Sequence, residues 1–119
     1  MDEKIIKKMR RFLDEVIPEG GGESDTRFSD DDLWEIYEEY QNVYKAVSVG
    51  WTEKAGMIAA ERGNYDEYHA GNERYKYVNL TTAINAALAM AKQYDALYKQ
   101  EQEQNISGLI LKFKAPDVI

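Results

Sequence analysis

The sequence predicts an all-α protein: a small bundle of about four helices, with a long C-terminal helix and an extended C-terminal tail. Three observations lead there. Apolar residues recur every three or four positions through most of the chain, only two prolines interrupt its 119 residues, and its single strand-like run has no partner. With 44% apolar and 31% charged residues, the chain can build one modest core. Residues 1–104 are assigned to the helical domain, with a flexible linker at 18–26, and residues 105–119 to the tail.

Ile5, Met9, Phe12, Leu13 and Val16 lie at helical spacing among lysines and arginines, an amphipathic helix expected to stop at Pro18. "PEGGGESDT" then reads as the linker. The next helix has a full start signal. Ser29 is placed as N-cap, accepting from the N–H of Asp32, whose carboxylate reaches back to Ser29 as a shortened capping box. Phe28 and Leu33 are spaced as a hydrophobic staple. Asp30, Asp31 and Asp32 fill the first turn, where the helix dipole favours each by about 0.3–1 kcal/mol.

Helical spacing continues through Ile36, Tyr37, Tyr40, Tyr44, Val47 and Trp51, with a bend expected at Gln41-Asn42, Asn42 as a second N-cap and the two helices antiparallel. Gly50 and Gly56 each weaken a helix by up to about 1 kcal/mol relative to alanine, which marks both as close-packing points. This helix is expected to end near Gly63. After the polar loop "GNYDEYHAGN", the longest periodic segment runs from Glu73 to about Gln104 and buries Leu80, Ile84, Ala87, Leu88, Ala91, Tyr94 and Tyr98. Such a helix is about 45 Å long, more than so small a core needs, so part of it is expected to meet another subunit. Residues 105–108 are expected to break it. Leu109, Ile110, Leu111, Lys112 and Phe113 then read as a short strand, stable only by pairing with another chain or docking in a groove.

The net charge of −7 argues against nucleic-acid binding, which needs clustered lysine and arginine. Nearly all the excess acid lies in residues 18–40, with nine acids and one arginine. The basic face of the first helix (Lys4, Lys7, Lys8, Arg10 and Arg11) is nearly cancelled by neighbouring acids and reads as solvated. Without cysteine there is neither a disulfide nor a thiolate. The contiguous aspartates lack the alternating ligands of a calcium loop, and one histidine, His69, cannot supply the paired Glu-x-x-His motifs of a di-iron bundle. No P-loop, dinucleotide fingerprint or nucleophile elbow is present. No catalytic residue, metal or cofactor is therefore expected. The N-terminus is too charged for a signal peptide and no run of 18 apolar residues occurs, so no membrane contact is expected. Trp34, Tyr65, Tyr68, Tyr75 and Tyr77 fall outside the helical stripes and are candidates for contact with a neighbouring subunit.

Taken in order, "KKMRRFLDE", a glycine-rich gap, "TRFSDDDL", "GWTEKA", a polar loop and "ALAMAKQYDALY" resemble the small head-tail connector proteins of tailed bacteriophages and prophages, also called head-completion or adaptor proteins. The resemblance covers roughly residues 7–98. It makes Phe28, Ser29, Asp32 and Leu33 the helix-start signature, and Trp51, Lys54 and Ala55 the middle-helix signature. Leu80, Ile84, Leu88, Ala91 and Tyr94 would pack the last helix. It implies a homo-oligomeric ring of about twelve subunits that forms on assembly, a monomer in isolation being compatible with it, set beneath the portal vertex in the virion neck after assembly in the host bacterial cytoplasm. The partners would be the portal protein and the next neck or tail protein, with the C-terminal segment engaging the portal or a neighbour. DNA would pass through without specific binding. Asp30, Asp31 and Glu35 are then candidates for the channel wall, where negative charge lets DNA slide. The alternative reading is a small cytosolic helical protein-interaction or scaffolding module.

Overall fold

The computed structural model describes the backbone of residues 1–66 and 71–118, and the side chains of residues 1–62 and 79–105. The expected all-α class holds. In order come α1 (Glu3–Phe12), a single 3₁₀ turn (Glu23–Asp25), α2 (Asp30–Tyr40), α3 (Val43–Asp66) and α4 (Gly71–Val118), with no strand among the described residues.

Asp2 caps α1, its carboxylate accepting from the Lys4 N–H at 2.9 Å. Ile6, Met9 and Leu13, spaced three and four apart, turn one face of this helix into the core. The helix stops well short of Pro18. Asp14 takes the left-handed conformation (φ 55°), and the N–H groups of Asp14 and Glu15 donate to the carbonyls of Arg11 and Arg10 at 3.3 and 2.8 Å. That is a Schellman motif with aspartate where glycine is usual, and nothing in the apolar pattern announces it. Val16, expected on the stripe, is consequently 60% exposed.

The segment read as a flexible linker is a bonded turn. Gly21 N–H donates to Pro18 O at 2.8 Å, Gly22 N–H to the Asp25 carboxylate at 2.9 Å, and Thr26 Oγ1 lies 2.8 Å from Glu23 O. Gly20 adopts φ 77°, and a Cβ on Gly21 would sit 2.8 Å from the Pro18 ring, so both glycines are used for shape. The glycine run that suggested slack permits a tight path.

The α2 start follows the sequence reading. Ser29 Oγ accepts from Asp32 N–H at 3.0 Å, and the Asp32 carboxylate accepts from Ser29 N–H at 3.2 Å. Phe28 and Leu33 are both buried in the same cluster. Gln41 ends α2 in the left-handed region (φ 52°), and Asn42 Oδ1 accepts from Lys45 N–H at 3.0 Å as the cap of α3. The bend lies where it was expected. Arg27, just before α2, pairs with Glu61 late in α3 at 2.7 Å, as antiparallel helices require.

α4 runs antiparallel to α3, with Asn42 meeting Glu101, Lys45 meeting Asp95 and Ser48 Oγ donating to Ala91 O at 2.8 Å. Between them, Ala46, Ala55, Ala87 and Ala91 are buried, and such short side chains let the helices approach closely. Phe28, Met9, Leu13, Leu33 and Val47 fill the centre, each worth about 1.5–3 kcal/mol of transfer free energy.

The C-terminal end corrects the sequence reading. The helix does not break at 105–108, and the backbone of residues 109–113 is helical rather than extended. A glycine such as Gly108 costs a helix only about 1 kcal/mol, and Ile106, Leu109, Ile110 and Phe113 also fit a helical period. At 1.5 Å per residue, 48 residues make a rod of about 72 Å, comparable to the 74 Å long axis of the molecule.

Candidate functional site

The residues of the middle-helix signature converge on the end of α1. Trp51 Nε1 donates to Phe12 O at 3.0 Å, and Lys54 Nζ donates to Leu13 O at 2.9 Å. Together with the Schellman bonds, they give the carbonyls of residues 10–13 a donor each. The Lys54 ammonium also sits at the negative end of the α1 dipole and 4.6 Å from the Trp51 ring centroid. Gly50 completes the socket, because a Cβ there would lie 2.8 Å from Leu13 Cδ2. Ala55 is buried alongside. "GWTEKA" is thus a receptacle for the α1 C-terminus.

Arg10 closes the other side of that junction. Only 4% exposed, its guanidinium donates to Asp30 Oδ1 from Nε (3.1 Å) and Nη2 (2.8 Å), to Phe28 O (3.0 Å), to Glu15 O (3.0 Å) and to Thr26 Oγ1 (3.0 Å). One side chain thereby ties α1, the 3₁₀ turn and the start of α2. Nearby, the buried Glu15 Oε1 accepts no hydrogen bond but faces Lys54 Nζ at 3.6 Å and Arg27 Nε at 3.9 Å. Sequence reasoning grouped Arg10 with the solvated lysines. The available signal was its register: it shares the 6-9-13 face with Ile6, Met9 and Leu13.

On the opposite side of α1, Phe12 stacks on Tyr94 (5.5 Å) and Tyr44 (6.3 Å), which joins α1, α3 and α4. Burial raises the Tyr94 hydroxyl pKa, and Tyr44 adds to the effect. Lys45 lies between the rings of Tyr40 and Tyr98 and bonds Asp95. Hydrogen bonds from Lys99 and Lys45 hold the Asp95 carboxyl below its usual value. Trp34 packs tilted against Tyr37, with ring centroids 5.2 Å apart, and is only half-exposed. The other aromatic candidates, Tyr65, Tyr68, Tyr75 and Tyr77, lie outside the residues with described side chains, and so does His69.

Of the last-helix residues, Ile84 and Ala91 are buried, Leu80 and Tyr94 are half-buried, and Leu88 is 42% exposed. Leu88 therefore leaves the expected stripe. Ala87 beside it faces α3, and the helical twist turns position 88 outward. The side chains of Leu109, Ile110, Leu111, Lys112 and Phe113 are outside those described, and their helical backbone removes the strand-pairing mode of docking. Asp30 is committed to Arg10, so its charge is neutralised locally, whereas Asp31 and Glu35 are exposed.

Among the described residues, two surface grooves are each lined by charge of a single sign. One is lined by Asp32, Glu35 and Glu39 from α2 and Glu53 from α3, with Ile36 and Met57 as its apolar floor. These acids form no ion pair among the described residues. Burial raises the Glu53 carboxyl above its usual value, and Asp32, Glu35 and Glu39 push it further. The other groove runs beside α1, with Lys4, Lys7 and Arg11 around Val16 and Ile17. No group of three acidic or histidine side chains among the described residues is arranged to hold a metal ion. No described helix is long and apolar enough to cross a membrane. No protein-family model matches the chain, and no curated protein or solved structure is significantly similar to it.

Proposed function

We propose that this protein is a structural, non-catalytic subunit of a phage neck ring, joining the portal of the capsid to the tail and extending the DNA channel. The observation that carries the reading is the mismatch between α3 and α4. Asn42, which caps the start of α3, meets Glu101, yet α4 continues through Val118. Beyond Glu101 the rod runs past the start of α3, and a helix that extends so far beyond its antiparallel neighbour offers a surface for another protein. The supporting observation is that Phe28, Ser29, Asp32, Leu33, Trp51, Lys54 and Ala55 act as capping and packing devices, as a purely structural subunit requires. Attachment to the portal is assigned to the helical end of α4, and the channel wall to exposed acids of residues 18–40 such as Asp31.

Co-sedimentation with portal particles tests this. The full chain is expected to bind and to form rings visible by electron microscopy. A chain truncated after residue 104 is expected to keep its helical circular dichroism per residue but to bind portal at least about tenfold more weakly. Equal binding by the truncated chain would remove the role given to the end of α4. A full chain that neither binds portal nor forms rings would instead favour a single-partner scaffolding module.

A further inference from the structure

The two grooves share no lining residue, and no ion pair among the described residues joins one to the other. Each is unsatisfied in a way that the other complements. The groove beside α1 offers Lys4, Lys7 and Arg11 around an apolar floor in which Val16 is 60% exposed. The α2–α3 groove offers four carboxylates around Ile36 and Met57, where partial burial and then the neighbouring Asp32, Glu35 and Glu39 disfavour ionisation of Glu53.

We infer that the groove beside α1 of one copy receives the acidic α2–α3 face of the next copy, head to tail. Opposite charges at the rim steer and register the contact, while Val16 and Ile17 meet Ile36 and Met57 at its centre. A contact between two different patches of the same chain is heterologous, and repeated copies of it close into a ring when the rotation permits. The inference rests on the ring-subunit reading above and names its subunit interface. A nucleic acid is the poorer occupant of the basic groove. Its phosphates would meet Lys4, Lys7 and Arg11, unpaired among the described residues, next to an apolar floor, on a chain of net charge −7 whose acids repel the rest of the polyanion. On this inference Glu35 serves the subunit contact rather than the channel wall.

Charge reversal in the full-length protein tests it, read by sedimentation velocity. Lys4→Glu with Lys7→Glu makes the first groove acidic, and Glu39→Lys with Glu53→Lys makes the second basic. All four positions are exposed, and circular dichroism checks that each variant stays helical. The wild type is expected to associate beyond a dimer at low salt, and to lose at least about tenfold in affinity as salt screens the contact. Each double variant alone is expected to be monomeric. Mixed one to one, the two variants are expected to recover association, since each reversed groove now complements the reversed groove of the other. Wild type that stays monomeric at low salt, a species that stops at dimer, failure of the mixture to recover, or tight binding of a DNA duplex that Lys4→Glu with Lys7→Glu abolishes would each overturn the inference. Portal binding is scored separately. Complementary self-association without portal binding sinks the connector reading and keeps the interface, whereas portal-bound rings indifferent to charge reversal do the reverse.

Discussion

Arg10 shows how much one side chain can organise when its hydrogen-bonding capacity is fully used. Its planar fork spans three chain segments, which a lysine ammonium cannot do. Arg10→Ala is expected to cost about 2–4 kcal/mol, below the range for a fully buried pair because Asp30 is partly exposed, and Arg10→Lys is expected to recover little of it. Urea denaturation midpoints measure both. The two glycines of α3, read alike from sequence, separate at this scale. At Gly50 a methyl group collides with Leu13, so Gly50→Ala is expected to destabilise by about 1–3 kcal/mol less whatever helix propensity returns. At Gly56 nothing lies within 4 Å, and Gly56→Ala is expected to stabilise by up to about 1 kcal/mol. The same urea midpoints would distinguish them. No residue spacing could have told these glycines apart, because the difference is Leu13 arriving from another helix.

Among the elements, those announced by a capping signature or a staple were legible. The Ser29–Asp32 box, the Phe28–Leu33 staple and the bend at Gln41-Asn42 each have their determinants adjacent in the chain. Features depending on distant partners were not. The path of residues 18–26 depends on its own tight turn and on Arg10 bonding Thr26 and Phe28, and the early end of α1 depends on Trp51 and Lys54 receiving its carbonyls. The fate of residues 109–113 turned on an ambiguity intrinsic to short apolar runs, which fit a strand or a helix equally until length decides. Leu88 was lost to a stripe drawn too wide. Because Asp14 holds a left-handed conformation that favours glycine, Asp14→Gly is expected to stabilise the α1 terminus by about 0.5–1 kcal/mol. An equal or lower unfolding midpoint would mean that the Asp14 side chain compensates.

For the molecule as a whole, charge is sorted by face. Partial burial, with Asp32, Glu35 and Glu39 adding to it, makes Glu53 titrate higher folded than unfolded, so its ionised form is disfavoured in the fold. Above the usual glutamate value the folded state therefore holds more of that proton, and this contribution to stability falls as pH rises through the window. Glu53→Gln is expected to unfold later than wild type at pH 7, by only about 0.2–0.5 kcal/mol because solvent screens so exposed a group, and to match it near pH 3.5, where the carboxyl is largely protonated in both states. Salt should shrink the difference at pH 7. Equal midpoints at pH 7 and low salt would show that neither burial nor the neighbouring acids disfavour the ionised Glu53.

The length of α4 also has a mechanical meaning. Its segment facing α3 is pinned at Ala91, Asp95 and Glu101, and seventeen residues further on lies Val118. That is an arm of about 25 Å. If the pinned segment tilts by about 10°, the tip sweeps about 4 Å, nearly the spacing of one helical turn. A small repacking where Ser48 meets Ala91 is thereby geared up into a displacement large enough for a docked neighbour to feel.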